Sequence, residues 1–296
     1  FRELVGVRPE SPQARYWLAR AYAANDDFAN QKASLESALA LAPEYPIAKL
    51  DMALLLAAEG QGEKAQALAG EVAAAFPDDP QVLNVRGDVA SIRGRVDEAL
   101  ADYERAFAVA PTGDLARKLA RARWKKGDTT TAVATLQAWV ERHPKDLATR
   151  LQLAAAYLEL KKFEESRKHY AEVVDQAPDA AVARNDLAWV LYRMGQFPAA
   201  RTHAQRAYEL DGKNPLVLDT LGMVALAQGE VSRAVSLLRT ARDGQPGNPL
   251  LAYHLAGALT RAGEKAQARQ LLKSVVESNA VFDERDEAKA LLRRLE

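Results

Sequence analysis

Apolar residues recur along the chain at a helical spacing, and the same set of positions returns about every 34 residues. In each period an apolar position precedes one that never carries a large side chain. An apolar residue every three or four positions predicts an amphipathic helix. The small residue predicts that two backbones pass closely there. The apolar positions are Leu18, Met52, Arg86, Leu119, Leu153, Leu187, Leu221 and Leu255, and the small ones are Ala19, Ala53, Gly87, Ala120, Ala154, Ala188, Gly222 and Ala256.

Arg86 is the one charged member of the apolar set, and we expect its stem to pack while its head reaches water. A second helix is predicted after a break halfway through each period. Six breaks carry glycine, which tolerates the left-handed conformation that ends a helix. Small and then bulky residues follow, such as Tyr103 and Leu238. The break residues are Asp26, Gly60, Gly94, Gly127, Lys161, Gly195, Gly229 and Gly263.

Prolines end the second helices at Pro9, Pro43, Pro77, Pro111, Pro144, Pro178 and Pro246. Proline has no amide proton and disfavours helix in the residue before it. The intervals are 34, 34, 34, 33, 34 and 68 residues, and Gly212 stands in the loop where one proline is missing. A fixed period of this size indicates an internal repeat. The predicted units are 12–45, 46–79, 80–112, 113–146, 147–180, 181–214, 215–248 and 249–282.

These units resemble tetratricopeptide repeats, whose helical hairpin has the same small, aliphatic or aromatic, glycine and proline positions. The resemblance covers nearly the whole chain and recurs eight times. It implies an all-α, right-handed α-solenoid, a superhelix of eight stacked hairpins forming a single domain over residues 1–296. The tryptophan that many such repeats carry early in the first helix is replaced by Arg15, Lys49, Leu83, Ala116, Arg150, Arg184, Leu218 and Ala252.

Both ends of the chain depart from a complete unit. Residues 1–11 start with Phe1 rather than methionine and place Phe1 and Leu4 at second-helix core positions. We therefore expect the chain to begin inside a repeat of a longer protein. Residues 283–296 carry acids first and arginines last, which suits the helix dipole. Their apolar residues share one face, which predicts a C-terminal capping helix. These residues are Ala288, Leu291, Leu292 and Leu295.

The charge balance narrows the classes of partner. Forty acidic and forty basic residues give a formal net charge of zero, which argues against a general nucleic-acid or anionic-membrane binder.

The chain has no cysteine, so disulfides, thiol chemistry and cysteine metal sites are unavailable, while the redox compartment stays open. No apolar run approaches the ~20 residues that a membrane helix needs, so we predict no span in this chain.

Catalytic or metal chemistry would depend mainly on the four histidines, and these do not cluster in sequence. His169 and His203 lie 34 residues apart at the same unit position. No carboxylate or cysteine completes a ligand set there, which favours two surface histidines in a tolerant position. We predict no catalytic residue, no metal and no cofactor, and hence a protein that is not an enzyme.

The resemblance implies a concave groove lined by the first helices, chiefly at the fifth, ninth, twelfth and thirteenth residues of each unit. The fifth and ninth residues are Tyr16, Arg20, Leu50, Leu54, Asn84, Asp88, Arg117, Arg121, Leu151, Ala155, Asn185, Trp189, Asp219, Met223, Tyr253 and Gly257. The set lacks the lysine and asparagine arrangement with which chaperone-binding members hold a terminal carboxylate, so that ligand is not predicted. The candidate partner contacts are Tyr16, Arg20, Asn84, Asp88, Arg117, Arg121, Trp124, Lys125, Asn185, Trp189, Tyr192 and Tyr253.

One stretch of the predicted lining is strongly basic. Arg117, Arg121 and Lys125 are four residues apart and share a helical face, with Trp124 as an apolar platform beside them. Arginine forks recognise carboxylate or phosphate at two points, which favours an anionic segment as ligand. The alternative is a solvated face neutralised by acids of adjacent units, such as Asp88 or Glu159. We define the basic strip as Arg117, Lys118, Arg121, Arg123, Lys125 and Lys126.

A second candidate contact zone comprises Asn185, Trp189, Tyr192 and Arg193. Aromatic residues exposed on a binding surface often act as anchors. The alternative is that Trp189 packs between helices as core. Trp17 and Trp139 are interpreted as packing residues.

We therefore predict a scaffold that presents its groove to a protein or peptide segment, with a preference for acidic partners. The alanine-rich repeats and the ending VFDERDEAKALLRRL resemble the C-terminal part of bacterial tetratricopeptide proteins of PEP-CTERM/exosortase and exopolysaccharide systems. This resemblance implies envelope protein sorting or polymer export, with a periplasmic location; the cytoplasm is the alternative. Two other functions stay open: the regulatory part of a larger enzyme such as a glycosyltransferase, and direct binding of an anionic polysaccharide.

Overall fold

The structure, a computed structural model, describes residues 1, 6–278 and 282–296. These residues form helices and the loops between them, and no strand occurs among them. The all-α class predicted from the repeat pattern is confirmed. The predicted core position of Leu4 and the first residue of the characteristic ending, Val281, lie outside the described residues.

Seventeen helices have defined bounds in the described part of the chain. The eight first helices begin at residues 12, 46, 80, 113, 147, 181, 215 and 249, which are the first residues of the predicted units. The helices are α1 Pro12–Ala23, α2 Phe28–Leu41, α3 Pro46–Ala58, α4 Gly62–Ala75, α5 Pro80–Ile92, α6 Val96–Val109, α7 Gly113–Lys125, α8 Thr129–Arg142, α9 Leu147–Glu159, α10 Phe163–Gln176, α11 Ala181–Arg193, α12 Phe197–Asp211, α13 Pro215–Ala227, α14 Val231–Gly244, α15 Pro249–Arg261, α16 Lys265–Glu277 and α17 Arg285–Leu295.

Several first helices start with a side-chain cap followed by proline. The Asp79 carboxylate accepts hydrogen bonds from the amides of Gln81 and Val82, at 2.8 and 3.0 Å. Asn214 and Asn248 cap α13 and α15 in the same manner. Such caps satisfy amides that have no partner within the helix, and the next residue, proline, has no amide to satisfy. The loop chemistry thus fixes where these helices begin.

The break within each repeat adopts the left-handed conformation that the sequence predicts. The six glycines at this position have φ between 73° and 86°. Asp26 and Lys161 occupy the same place in the other two repeats, with φ of 55° and 57°. A residue with a Cβ atom is strained in this region, whereas glycine is not.

Lys161→Gly is expected to raise the free energy of unfolding by about 0.5–1 kcal/mol, because it relieves the strained turn at a modest entropic cost in the unfolded chain. The neighbouring Lys162→Gly serves as the control, since Lys162 has a negative φ of −85°. Urea unfolding followed by circular dichroism measures both changes. The same shift in both variants, or a lower free energy of unfolding in Lys161→Gly, would show that Lys161 is not strained.

The contacts divide the helices into two units, residues 1–149 and 150–296. Within each unit the two helices of a repeat pack on each other, and second helices pack on the first helix of the following repeat. Examples are α5 on α6 and α6 on α7 in the first unit, and α13 on α14 and α14 on α15 in the second. First helices of successive repeats also touch, as α11 and α13 do.

The small positions of the first helices are buried, and the structure shows what crowds two of them. A Cβ atom added to Gly222 would lie 2.7 Å from Cγ of Leu238, and one added to Gly87 would lie 2.6 Å from Cε1 of Tyr103. At these two repeats the close neighbour is therefore a side chain of the second helix rather than a second backbone. The predicted close approach occurs, but with a different partner.

Arg86, at an otherwise apolar position, does not simply extend its head into water as the sequence suggested. Its Nε donates to Oδ2 of Asp102 at 2.7 Å, and Nη2 pairs with Oδ1 of the same carboxylate. Asp102 is buried, whereas the Arg86 side chain is one-third exposed. A forked, charge-assisted contact of this kind compensates the burial of the carboxylate.

The C-terminal helix α17 packs on the last repeat. Ala288 is fully buried, in one core cluster with Leu259 and Leu272 of α15 and α16. The partly buried Phe282, Leu291, Leu292 and Leu295 pack against the same cluster. The amphipathic face recognised in the sequence is thus the face that the last repeat covers.

Candidate functional site

Lys118 of the basic strip is neutralised within the first unit. Its Nζ donates to Oδ1 of Asn84 at 2.9 Å and to Oδ2 of Asp88 at 2.7 Å, and it lies 3.1 Å from a carboxylate oxygen of Asp114. The other oxygen of Asp88 accepts a hydrogen bond from the Tyr103 hydroxyl at 2.8 Å. Burial, together with Asp88, raises the pKa of Tyr103. The two predicted contacts Asn84 and Asp88 are therefore engaged within the fold.

Arg117 is likewise held by its own unit. It lies 3.4 Å from Asp114 and 3.7 Å from Asp146, and it donates to the Thr149 hydroxyl at 3.1 Å. Burial opposes ionisation of Asp146, but hydrogen bonds from Thr149 and from the Trp139 indole hold its pKa below the usual value. Two further basic residues of the strip pair with acids. Arg123 pairs with Glu104 at 2.9 Å, and Lys126 pairs with Asp97 at 2.6 Å.

Arg121 and Lys125 are the two members of the strip that keep free cationic groups. Both are exposed, and neither forms an ion pair within the described residues. Trp124 lies beside them and is partly buried. Neutralisation by neighbouring acids thus applies to four of the six basic residues. Recognition of an anion by the strip stays a prediction, and it now depends on Arg121 and Lys125.

Tyr16 and Arg20, predicted as contacts near the start of the chain, differ in accessibility. Tyr16 is only 2% exposed and packs edge-on against Trp17 and Tyr45. Burial, reinforced by Asp51, raises the pKa of Tyr16 to about 12. Arg20 is exposed and lies 3.4 Å from Asp51. Tyr16 therefore has its ring in the core, and Trp17, interpreted as packing, is 49% exposed.

The aromatic zone of the second unit is compact. Trp189 stacks on Tyr192 with 5.2 Å between ring centroids and 20° between planes, and lies 5.8 Å from the ring of His254. The Arg193 guanidinium lies over Trp189 at 5.8 Å and over Phe163 at 5.3 Å. Trp189 is partly buried, so one part of its ring packs against neighbouring residues and another part stays accessible.

A buried acid–imidazole pair lies next to this zone. Nδ1 of His254 is 2.9 Å from both carboxylate oxygens of Asp219, and both side chains are almost fully buried. Tyr253, a predicted contact, is partly buried and lies 6.4 Å from the ring of Phe282. His254 is thus a buried residue of the fold, and its partner Asp219 is one of the predicted lining positions.

The second unit also contains a cavity of about 400 Å³ that the sequence did not predict. Its walls come from the first helices α9, α11, α13 and α15 and from the C-terminal segment, and we call it the acidic pocket. The acids that line it are Glu159, Asp186, Asp219, Asp283, Glu284 and Glu287, and the basic residues are Lys161 and Arg193. Asn185 and Trp189, both predicted contacts, line it too.

His169 and His203, predicted as surface histidines, are partly buried instead. Burial, with Arg150 and Lys168 nearby, lowers the pKa of His169 to about 4. Burial, with Arg184 nearby, also lowers the pKa of His203. Among the described residues no group of three or more histidines and acids is arranged to hold a metal ion.

The described helices include none with both the length and the apolar character needed to cross a bilayer.

Three family models, each described as tetratricopeptide repeat, match this chain. One matches residues 1–46 and 92–146, another matches 32–89 and 225–295, and the third matches 145–213. Together they account for most of the repeats defined above.

Curated relatives with significant similarity come from bacteria. A TPR repeat-containing protein of Pseudomonas aeruginosa is 29% identical over 174 residues, which covers 56% of this chain and 29% of the relative. Proteins named cellulose synthase operon protein C from Pseudomonas fluorescens and Xanthomonas axonopodis pv. citri are 26% and 28% identical, and the matches cover 91% and 95% of this chain. The chain spans only 23% and 20% of the length of these two relatives.

Solved structures show the same fold at low sequence identity. The anaphase-promoting complex hetero-tetramer Cut9–Hcn1 superposes with a TM-score of 0.66 at 14% identity, over 94% of this chain and 54% of that one. A tetratricopeptide repeat protein from Parabacteroides merdae superposes with a TM-score of 0.61 at 15% identity, over 84% of this chain and 98% of that one.

Proposed function

Because the chain belongs to the tetratricopeptide repeat family, we propose that it is a non-enzymatic scaffold that holds a segment of a partner protein against its first helices. The observation that carries this proposal is the distribution of polar and aromatic side chains at the predicted lining positions. In the first unit Arg121 and Lys125 project from α7 as exposed cations. In the second unit Trp189 of α11 lines an open pocket.

The relatives support a cellular context for this scaffold. Two of them carry the name cellulose synthase operon protein C and match nearly the whole of this chain. We propose that the chain works in exopolysaccharide assembly or export, or in envelope protein sorting, and that it resides in the bacterial envelope or periplasm. The similarity covers a small share of those relatives, so this context is a proposal about the repeats alone.

The binding role of the first unit is tested by reversing its two free cations. Arg121→Glu combined with Lys125→Glu is expected to weaken binding of acidic peptides about tenfold or more, because exposed charge pairs contribute a few tenths to 1 kcal/mol each and repulsion adds to the loss. Fluorescence anisotropy with labelled degenerate peptides that carry fixed glutamates measures the affinity. Raising the salt concentration should weaken binding to the parent chain.

Lys213→Glu combined with Lys273→Glu is the matched control. Both lysines are exposed and form no ion pair within the described residues, so the net change in charge is the same but falls in the second unit. Equal weakening in both double variants would mean that only net charge matters and would contradict a site at Arg121 and Lys125. Retention of polyglucuronate without any peptide would instead favour direct binding of an anionic polysaccharide.

A further inference from the structure

Most acids of the acidic pocket lack the ion pairs that are common elsewhere in the described part of the chain. Glu159, Asp186, Glu284 and Glu287 form no ion pair with a lysine or arginine within the described residues, whereas Lys118 and Arg117 of the basic strip each meet two acids. Carboxylates gathered around one cavity repel one another. Because six acids but only two basic residues line the pocket, its lining keeps an excess of negative charge.

Asn185 independently indicates that the described part of the pocket lacks a hydrogen-bond donor for one of its acceptors. Asn185 is 8% exposed and lines the pocket. The amide Nδ2 donates to Oδ1 of Asp186 at 3.3 Å, but its oxygen Oδ1 is buried and accepts no hydrogen bond in the described part of the chain. A buried acceptor without a donor costs about 1–3 kcal/mol, so such atoms are uncommon in native structures. A ligand that donates hydrogen bonds would satisfy it.

Asp186 lies beside Asn185 and lacks a positively charged partner among the described residues. Its hydrogen-bond donors are the Asn185 amide and the Tyr170 hydroxyl, neither of which is a cation. Burial raises the pKa of Asp186, although those two donors oppose the rise. A positive group next to this carboxylate would stabilise its ionised form.

The pocket also offers apolar surface for the stem of a long side chain. Trp189 and Phe282 are both in its wall, and Arg193 covers part of Trp189 from the rim. Long basic side chains bury their methylene groups on such surface while the charged head reaches polar partners. Aromatic faces attract cations as well. The volume of about 400 Å³ falls within the range of binding pockets.

We propose that the acidic pocket binds a lysine or arginine side chain of a partner protein segment. The acids supply charge complementarity, Asn185 Oδ1 and Asp186 accept hydrogen bonds from the head, and Trp189 and Phe282 flank the stem. This inference rests on the proposed function, because it gives the partner segment a basic residue at the second unit. It is independent of the acidic preference assigned to the strip of the first unit.

The test uses the whole chain and labelled degenerate peptides with fixed central residues. One pool carries two arginines and its matched pool two citrullines; another carries two lysines and its matched pool two acetyl-lysines. We expect the basic pools to bind at least about tenfold more tightly than their neutral counterparts, as measured by fluorescence anisotropy. Comparison of the arginine and lysine pools identifies the preferred head group.

Glu287→Lys is expected to abolish this preference, because it places a cation on the pocket wall. Glu287 is exposed on α17, so the substitution leaves the core intact. Glu277→Lys is the matched control, since Glu277 is exposed at the end of α16, outside the pocket. Asn185→Leu removes the unpaired acceptor and is expected to weaken binding of the basic pools as well.

Three outcomes would overturn the proposal. They are equal binding of basic and neutral pools, unchanged preference in Glu287→Lys, and Glu287-dependent binding of a chitosan oligomer with no binding of any peptide. Acidic peptides that bind in an Arg121-dependent manner, with no preference for basic pools, would overturn this inference and leave the proposed scaffold function standing.

Discussion

Replacing Gly222 with alanine is expected to lower the free energy of unfolding by about 1–3 kcal/mol. The added methyl group would lie 2.7 Å from Cγ and 2.9 Å from Cδ2 of Leu238, and Leu238 is fully buried. Because Leu238 is enclosed by the core around α13 and α14, it cannot move aside without strain. Urea unfolding followed by circular dichroism measures the loss.

Gly257→Ala is the matched control for this prediction. Gly257 lies within α15, and a Cβ atom there would meet no neighbour within 4 Å. Alanine is favoured over glycine inside a helix, so this substitution should stabilise the chain by about 0.5–1 kcal/mol. In a Leu238→Ala background the cost of Gly222→Ala should largely vanish, because the obstructing atoms are gone. Additive effects of the two substitutions would show that Leu238 is not the obstacle.

Acidification is expected to destabilise the chain through His169 as the pH falls from about 6.5 to about 4. The pKa of His169 in the folded chain is about 4, against an ordinary value of 6.5, so the unfolded chain takes up the proton first. Folding therefore loses stability across this window and loses no more from this residue below it. We expect a loss of about 2 kcal/mol, allowing for partial exposure of the ring.

The environment of His169 explains why protonation is unfavourable. Its Nδ1 lies 3.5 Å from Nη1 of Arg150, Lys168 adds positive charge, and the ring stacks on Tyr157 at 5.7 Å. Glu172 is paired with Arg150. The free energy of unfolding of His169→Gln should fall less steeply between pH 7 and pH 4 than that of the parent. The same substitution at exposed His143 controls for loss of an imidazole, and parallel curves for His169→Gln and the parent would refute the assignment.

The sequence predicts the fold well because each local signal acts on the backbone directly. Proline at the end of a unit fixes φ, and glycine at its midpoint permits the positive φ of the turn, so the first helices begin where the units do. Lys161 was placed in the same turn by its position alone, and its φ of 57° agrees. Side-chain partners are less predictable. Arg86 shows this, because its carboxylate partner Asp102 lies 16 residues away on another helix.

The acidic pocket could not be predicted from the sequence for the same reason. Glu159, Asp219 and Glu287 stand far apart along the chain and come together only when first helices and α17 pack side by side. The repeat pattern does not mark Asp186 either, because this residue adjoins a predicted lining position without being one. The basic strip is visible in the sequence because its six residues all lie within positions 117–126. The sequence offers neutralisation by Asp88 or Glu159 as an alternative, and the structure pairs Asp88 with Lys118, whereas Glu159 forms no ion pair within the described residues.

Helix α17 serves two purposes at once, since its apolar face completes the core of the last repeat while Glu287 forms part of the pocket wall. Detachment of α17 from the last repeat would therefore remove part of the wall of the acidic pocket. By reciprocity, a ligand bound there must hold the helix in place with the same coupling free energy. Changes outside the pocket that loosen α17 from the last repeat would therefore weaken binding at the proposed pocket.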